Sequence, residues 1–315
     1  MLDTVRGKIA RPWKKGIQDN PPFGWKVRTG TMEDSNGIER TIVSCSHEQS
    51  GMYIKGDEMG SHVIQVSLPR LLHGDNTNLI KNQDELDTAF SKMRLQMLDL
   101  LEIDAIPRWT RLDMVWNFKG NISEFIAIFN NTKHPRVRSA VRVYGGESIS
   151  WKGKRIEIQI YDKLKEKGRA TLAEDTIVRA EVRQSVTHDK LHEDDPSNPY
   201  SIICEPVHGG YLPTFEKCYD YYRKVMVQLS PKTIPEMASR SPLDFLAYLQ
   251  ANNLTDLQGV PLVDLYLAKK SRSTKYRLQR ELKARVLRHK FISWHALLPE
   301  ESIPKPITYS DIKVA

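Results

Sequence analysis

Cysteine is scarce: Cys45, Cys204 and Cys218 are the only three in 315 residues. An odd, scattered set makes a disulfide framework improbable, and no Cys-x-x-Cys spacing is present to hold a structural zinc ion. The pattern suits a reducing compartment. Paired histidines of the His-x-His type are missing as well. His188 and His192 are spaced for one helical face, but they lie in an acidic, proline-ended stretch, which argues against zinc. No apolar run approaches the ~18–20 residues that span a bilayer. Met1 to Arg6 carries an early acid and no apolar block, so no signal peptide is expected. Internal repeats at a fixed period are absent too. Acidic residues are outnumbered, 39 against 47 Lys and Arg, for a net charge of +8. That excess points to polyanionic partners, nucleic acid first and an anionic membrane surface second.

What is present is an ordinary globular composition, 40% hydrophobic and 27% charged, in a chain long enough for two domains. Residues 1–230 read as α+β, mainly antiparallel sheet covered by helices. Residues 231–315 read as a smaller, basic helical domain beginning at the Pro231–Pro235 junction. Asn36-Gly37 predicts a hairpin turn. Strands are expected at Arg40 to Ser44, Met52 to Lys55 and His62 to Leu68, with Leu71 to Gly74 running into a polar loop that holds His73. Asp84 opens a helix to about Glu102 whose Leu86, Phe90, Met93, Met97 and Leu100 share one face. Helices are also predicted over Ser123 to Asn130 and Thr214 to Gln228.

Three short signals fall on strands. They are Thr110-Arg111-Leu112-Asp113, Ile156 to Lys163 with Tyr161-Asp162-Lys163 at its end, and Val178-Arg179-Ala180-Glu181-Val182-Arg183. In the second run Ile156, Ile158 and Ile160 point one way while Glu157, Gln159 and Tyr161 point the other, so a tyrosine hydroxyl stands beside a carboxylate. Tyrosine can serve as a nucleophile when helped by a base or a metal. Asp113 and Glu181 could hold a hard divalent ion through oxygen. For each residue there is also a plain structural role: a rim tyrosine, and cross-strand ion pairs of Asp113 with Arg111 and of Glu181 with Arg179 or Arg183. Tyr144, before Gly145-Gly146, is the rival nucleophile and lacks the following lysine.

Arg-x-Asp on one strand, Tyr-x-Lys at the end of another and Arg-x-Glu-x-Arg on a third resemble the core of the filamentous-phage gene II replication initiators and of the related rolling-circle plasmid initiators. Ser67-Leu68-Pro69-Arg70-Leu71-Leu72-His73-Gly74-Asp75-Asn76 is similar to a further stretch of that family, with Arg70 where the family has lysine and Asp75 where it has histidine. The resemblance spans roughly Met1 to Asp189. It implies a metal-dependent, origin-specific DNA nicking and rejoining enzyme of a bacterial cytoplasm. Tyr161 would be the nucleophile that becomes joined to a 5′ phosphate and leaves a free 3′-OH. Lys163 would assist it, and Asp113 and Glu181 would hold Mg2+ or Mn2+. Implied partners are origin DNA, duplex and single-stranded, with a host helicase and polymerase, and no membrane. The alternative function is a non-catalytic DNA-binding regulator of replication or transcription.

A separate signal lies near the C-terminal end. Lys269, Lys270, Arg272, Lys275, Arg277, Arg280, Lys283, Arg285, Arg288 and Lys290 are opposed by one acid, Glu281. A short helix at Leu262 to Ala268, a cap at Ser271-Arg272-Ser273-Thr274, and a basic helix from Lys275 to about His289 are compatible with a helix-turn-helix. Arg272, Lys275, Arg277, Arg280 and Lys283 are its candidate DNA-binding residues; a solvated basic face is the plain reading.

Overall fold

The computed structural model describes residues 1–33, 36–58, 60–129, 132–137, 142–144, 148–166, 176–186, 202–231, 242–251 and 260–286. His188 and His192 lie outside the described residues. The protein is α+β and divides into two compact units. The first comprises chiefly Met1–Asn117 and Glu181–Lys224, and the second chiefly Phe118–Ala180 with the segment after Val225.

The first unit is built on β1 (Leu2–Ala10), β2 (Trp25–Glu33), β3 (Glu39–His47), β4 (Tyr53–Asp57), β5 (Ser61–Ser67) and β6 (Arg108–Gly120). They run β2-β3-β4-β5-β1-β6 across the sheet, and every neighbouring pair is antiparallel. Gly37, at φ 77°, takes the left-handed conformation that the expected Asn36-Gly37 turn requires, and Glu33 pairs with Glu39 to close the β2–β3 hairpin.

Alternation is clean along β1, β4 and β5. Val5, Gly7 and Ile9 are buried while Arg6, Lys8 and Ala10 are exposed; Ile54 and Gly56 are buried while Tyr53 and Lys55 are exposed. The buried face is covered by α2 (Gln83–Leu100), which buries Leu86, Phe90, Met93, Met97 and Leu100 as its spacing predicts. Phe90 packs on Trp109 of β6 with ring centroids 5.7 Å apart. Asn82 caps α2 by accepting from the Glu85 amide at 2.9 Å, and Asp84 and Glu85 complement the positive helix start. A register shift separates Arg6↔Arg111 from Gly7↔Trp109. Gly7 has no room for a side chain there, since a Cβ would sit 2.7 Å from the Pro107 Cβ. The bulge leaves Trp109 in the core and turns Arg111 to the polar side.

The segment after β5 differs from expectation. Leu68–His73 forms a helical turn, α1, instead of running on in extended form, and His73 sits in its last turn 3.7 Å from Glu85. Pro69 at the first turn and Gly74 in the left-handed C-cap conformation are the signals that favour the helix.

In the second unit α3 (Ile122–Phe129) precedes a short pair of β7 (Thr132–Lys133) with a later strand at Ser230–Pro231. β8 (Arg142–Tyr144), β9 (Ser148–Lys152) and β10 (Ile156–Asp162) then form an antiparallel run. The chain continues through the turn α4 (Lys163–Glu166) into β11 (Thr176–Ser185), which crosses between units at Ala180 and Glu181. Helix α5 (Phe215–Met226) matches the helix expected over Thr214 to Gln228. The C-terminal helices are α6 (Pro242–Ala251), α7 (Leu262–Ala268) and α8 (Arg272–Val286). They bury Leu246, Ala247, Leu249, Val263, Leu267 and Leu282 in one small core.

Candidate functional site

Two sets of residues carry the chemistry, one in each unit. In the first unit Asp113 lies on β6 with its side chain 3% exposed, and it is flanked by two guanidinium groups. Arg111, two residues earlier on the same strand, grips it with both arms of its fork; the Nε to Oδ1 distance is 2.7 Å. The Arg183 Nε lies 3.5 Å from the Asp113 Oδ1. Arg183 also donates to the Glu181 Oε1 at 2.8 Å, so the two carboxylates share one arginine. Asp3 stands close enough for its charge to be felt at Asp113, and the Ser67 hydroxyl donates to it at 2.9 Å. Burial pushes the Asp113 carboxyl above its usual range, outweighing the downward pull of Arg111 and Arg183.

Each carboxylate is paired with an arginine, but with the one two residues away on its own strand and not across strands as expected; Arg183 also reaches across to Asp113, linking the pairs into a network. A network of this kind is compatible with a structural role and with metal binding alike. In kind, the donor set fits a hard divalent ion: carboxylate oxygens alone, without thiolate or imidazole. Asp113 and Glu181 would hold it, and the remaining ligands would be water and substrate phosphate. Among the described residues no group of three His, Cys, Asp or Glu side chains converges on one point. An ion there would have to compete with Arg111 and Arg183 for the same oxygens.

In the second unit Tyr161 is the penultimate residue of β10, opposite Ser148 of β9, and Ser148 is in turn opposite Tyr144 of β8. The two candidate tyrosines thus occupy one cross-strand row. Ile156, Ile158 and Ile160 are buried as the alternation predicts, with Glu157 and Gln159 part-exposed on the other side. Tyr161 departs from an open face: it is 9% exposed.

Lys163 departs too, because the strand stops before it. Asp162 ends β10 and accepts from the Leu164 and Lys165 amides, each at 2.9 Å, which starts the α4 turn. The turn nevertheless returns Lys163 to the tyrosine. Its Nζ lies 5.6 Å from the Tyr161 ring centroid and 2.6 Å from the Glu166 carboxylate. A nearly buried ammonium held beside a phenol ring is a means of stabilising negative charge on an oxygen nearby. Glu166 is the residue that sequence reasoning missed. Its signal was the i, i+3 spacing from Lys163, legible only once a helical turn is known to start there.

The basic helix is α8, preceded by α7 and the three-residue turn Lys269-Lys270-Ser271. The Ser271 hydroxyl accepts from the Thr274 amide at 3.4 Å and its carbonyl from the Lys275 amide at 2.8 Å, so Ser271 alone caps the helix, which starts at Arg272 and not at Lys275 as expected. Leu278 and Leu282 hold the helix against the small core. Arg272, Lys275, Tyr276, Arg277, Gln279 and Arg280 are all exposed; the Lys283 side chain lies outside the described residues. Among the described residues no helix is long and apolar enough to cross a membrane.

No family model matches the chain, and no curated protein matches it. Among solved structures the chain is similar to the "Structure of Rolling Circle Replication Initiator Protein from Geobacillus stearothermophilus". The identity is 13% and the TM-score 0.34, over 59% of this chain and 73% of that one. A likeness of that size carries no functional weight, which rests on the residues themselves.

Proposed function

We propose that the protein initiates rolling-circle replication by nicking origin DNA with Tyr161 as the nucleophile and later rejoining the strand. The observation that carries the reading is the Tyr161–Lys163 pair, an ammonium held 5.6 Å from the phenol ring at the end of a strand. In the reaction the Tyr161 oxygen forms a bond to phosphorus and the bond from phosphorus to the 3′ oxygen breaks. The phenol proton is lost to a base or to solvent, and the departing 3′ oxygen takes up a proton to become a 3′-OH. The product is a 5′-phosphotyrosyl link, whose reversal by a 3′-OH rejoins the strand. Lys163 offsets the negative charge that builds on the phosphate oxygens. Mg2+ or Mn2+, when bound, would polarise the scissile phosphate. Asp113 and Glu181 would supply its protein ligands, while Arg111 and Arg183 hold those carboxylates in place until then.

Origin DNA, duplex and single-stranded, is the partner of this reading, a host helicase and polymerase would act on the nicked product, and a bacterial cytoplasm is the setting. The exposed cations of α8 would contact the duplex. A second reading, a DNA-binding regulator without chemistry, is favoured by one observation: α7, its three-residue turn and α8 resemble a helix-turn-helix on their own. One experiment separates them. Full-length protein is incubated with magnesium and a single-stranded oligonucleotide carrying origin sequence, and covalent adducts are digested and mapped by mass spectrometry. A nickase gives an adduct on the Tyr161 peptide that Tyr161→Phe abolishes while DNA binding persists. An adduct on Tyr144 moves the nucleophile, and binding with no adduct at any tyrosine refutes the enzyme.

A further inference from the structure

The polar face of the first unit's sheet carries cations in a pattern that only the strand register reveals. Following the pairs across β2-β3-β4-β5-β1-β6, one row reads Lys26, Ser46, Tyr53, Gln65, Arg6, Arg111. The next row, two residues along each strand before the bulge, reads Arg28, Ser44, Lys55, Val63, Lys8, Arg108. Neither row contains an acid. Six strands at the ordinary spacing of about 4.8 Å make the rows about 24 Å long.

Lys26 is matched by Glu48 at 2.9 Å and Arg111 by Asp113. Arg6, Lys8, Arg28, Lys55 and Arg108 are exposed and make no ion pair among the described residues. Charged edge strands are a common guard against sheet-to-sheet aggregation, and β2 fits that account. The inner strands β4 and β1 do not need such a guard. Moreover, Arg6 stands opposite Arg111 and Lys8 opposite Arg108. Like charges directly opposite one another on a sheet are destabilising, and an anion lying over them reverses the sign of that contribution.

We propose that this face is a binding track for an extended single strand of nucleic acid, whose phosphates lie over the two cation rows and one of whose bases stacks on Tyr53. A single strand fits better than a duplex, because a face six strands wide is too broad to enter a groove made for one helix or a two-stranded ribbon. It also fits better than a membrane surface. Within the two rows the one exposed large hydrophobic is Tyr53, at 39%, which leaves little to insert into lipid. Tyr53 sits in the interior of its row, where a ring presented to solvent can take a base of any identity. The inference rests on the proposed function for its direction: the first row ends at Arg111, and Asp113 follows two residues further along β6.

The test uses the full chain and a labelled 20-nucleotide oligo(dT), read by fluorescence anisotropy through a potassium chloride series. Lys8→Gln, Arg28→Gln and Lys55→Gln are combined, since they lie on three strands and break no ion pair seen among the described residues. The slope of log affinity against log salt is expected to shrink by about 2, at roughly 0.7 for each single-strand phosphate no longer neutralised, with affinity at low salt at least tenfold weaker. Tyr53→Ala is expected to weaken binding about tenfold without changing the slope, and Tyr53→Phe to bind like the wild type. Wild-type affinity and slope in the triple variant would overturn the track. Tighter binding of a 20-base-pair duplex, lost in the same variant, would overturn the single strand in favour of duplex. Phosphatidylserine vesicles bound where oligo(dT) is not would assign the face to lipid. Failure of the two readings is separable. Oligo(dT) binding that depends on these rows, with no covalent adduct formed, sinks the nickase and keeps the track; an adduct formed normally by a triple variant that also binds normally does the reverse.

Discussion

Asp113→Asn is the substitution that best separates a metal site from an ion-pair network. Removing one partner of a fully buried ion pair costs about 3–5 kcal/mol, because the other charge is stranded away from water. Here the stranded groups are not fully buried: the Arg111 and Arg183 side chains are 25% and 27% exposed and can turn to solvent. Asparagine keeps the shape and can still accept from Arg111, and it also removes a carboxylate that burial disfavours. The net loss should therefore be nearer 1–2 kcal/mol, a fall in melting temperature of about 2–8 °C for a unit of this size. If the carboxylate is a metal ligand, adduct formation should drop by orders of magnitude at fixed magnesium and recover in part at higher magnesium. Arg183→Gln adds a sign that the ion-pair account does not share. It removes the cation competing for Asp113 and Glu181, so half-saturation by magnesium should fall several-fold even as stability declines slightly. The two assays are thermal melting and a magnesium titration of adduct yield, run on the same preparations. Normal adduct formation by both Asp113→Asn and Glu181→Gln across the titration would refute the metal assignment. A loss of activity that tracks a melting drop well beyond about 10 °C, more than the ion-pair cost accounts for, would leave the carboxylates as structural.

Stability should also report on the buried histidines. Burial lowers His62, whose ring meets the Arg11 carbonyl at 2.5 Å, and lowers His134, which faces the Val225 carbonyl at 3.2 Å. Both are held neutral in the fold. Their contribution is complete above the unfolded value near 6.5 and is lost as pH falls below it, by up to about 1.4 kcal/mol per pH unit for each, levelling off beneath the folded value. Melting temperatures between about pH 7.5 and 5, which bracket that unfolded value, measure this, and a flat profile contradicts it. For α8, replacing Arg277, Arg280 and Lys283 together should reduce the salt slope for duplex origin by roughly 2–3, at ~0.9 for each phosphate neutralised, and leave oligo(dT) binding unchanged. An unchanged duplex slope makes that helix a solvated face.

Much of the fold was legible because its signals are local. The strands of β6, β10 and β11 follow from β-branched and aromatic content, α2 from its apolar spacing and acidic start, and the β2–β3 hairpin from Asn36-Gly37. The misses are also local, and each has a competing residue. Pro69 and Gly74 make a helical turn of a segment read as extended, and Asp162 stops the strand that was expected to carry Lys163 beyond Tyr161. In the second case the predicted proximity survives although the strand does not: the turn that replaces it still leaves the Lys163 ammonium 5.6 Å from the Tyr161 ring centroid.

What no local reading could reach is anything that depends on strand neighbours far apart in sequence. That Arg183 bridges Asp113 and Glu181 requires two strands about 70 residues apart to lie within reach, and the motif alone offered Arg179 equally well as the partner of Glu181. Arg179 is fully buried. The cation rows are a stronger case. Arg6, Lys8, Arg28, Lys55 and Arg108 are scattered singly along the first third of the chain, whereas α8 announces its charge as a run. Charge density along the chain favours the helix as the nucleic-acid surface, because successive cations on a helix are counted together whether or not they share a face. Register gives the opposite weighting: isolated cations on an antiparallel sheet all share a face when they fall at matching parity, and a single bulge at Thr110 decides whether Arg108 and Arg111 join them.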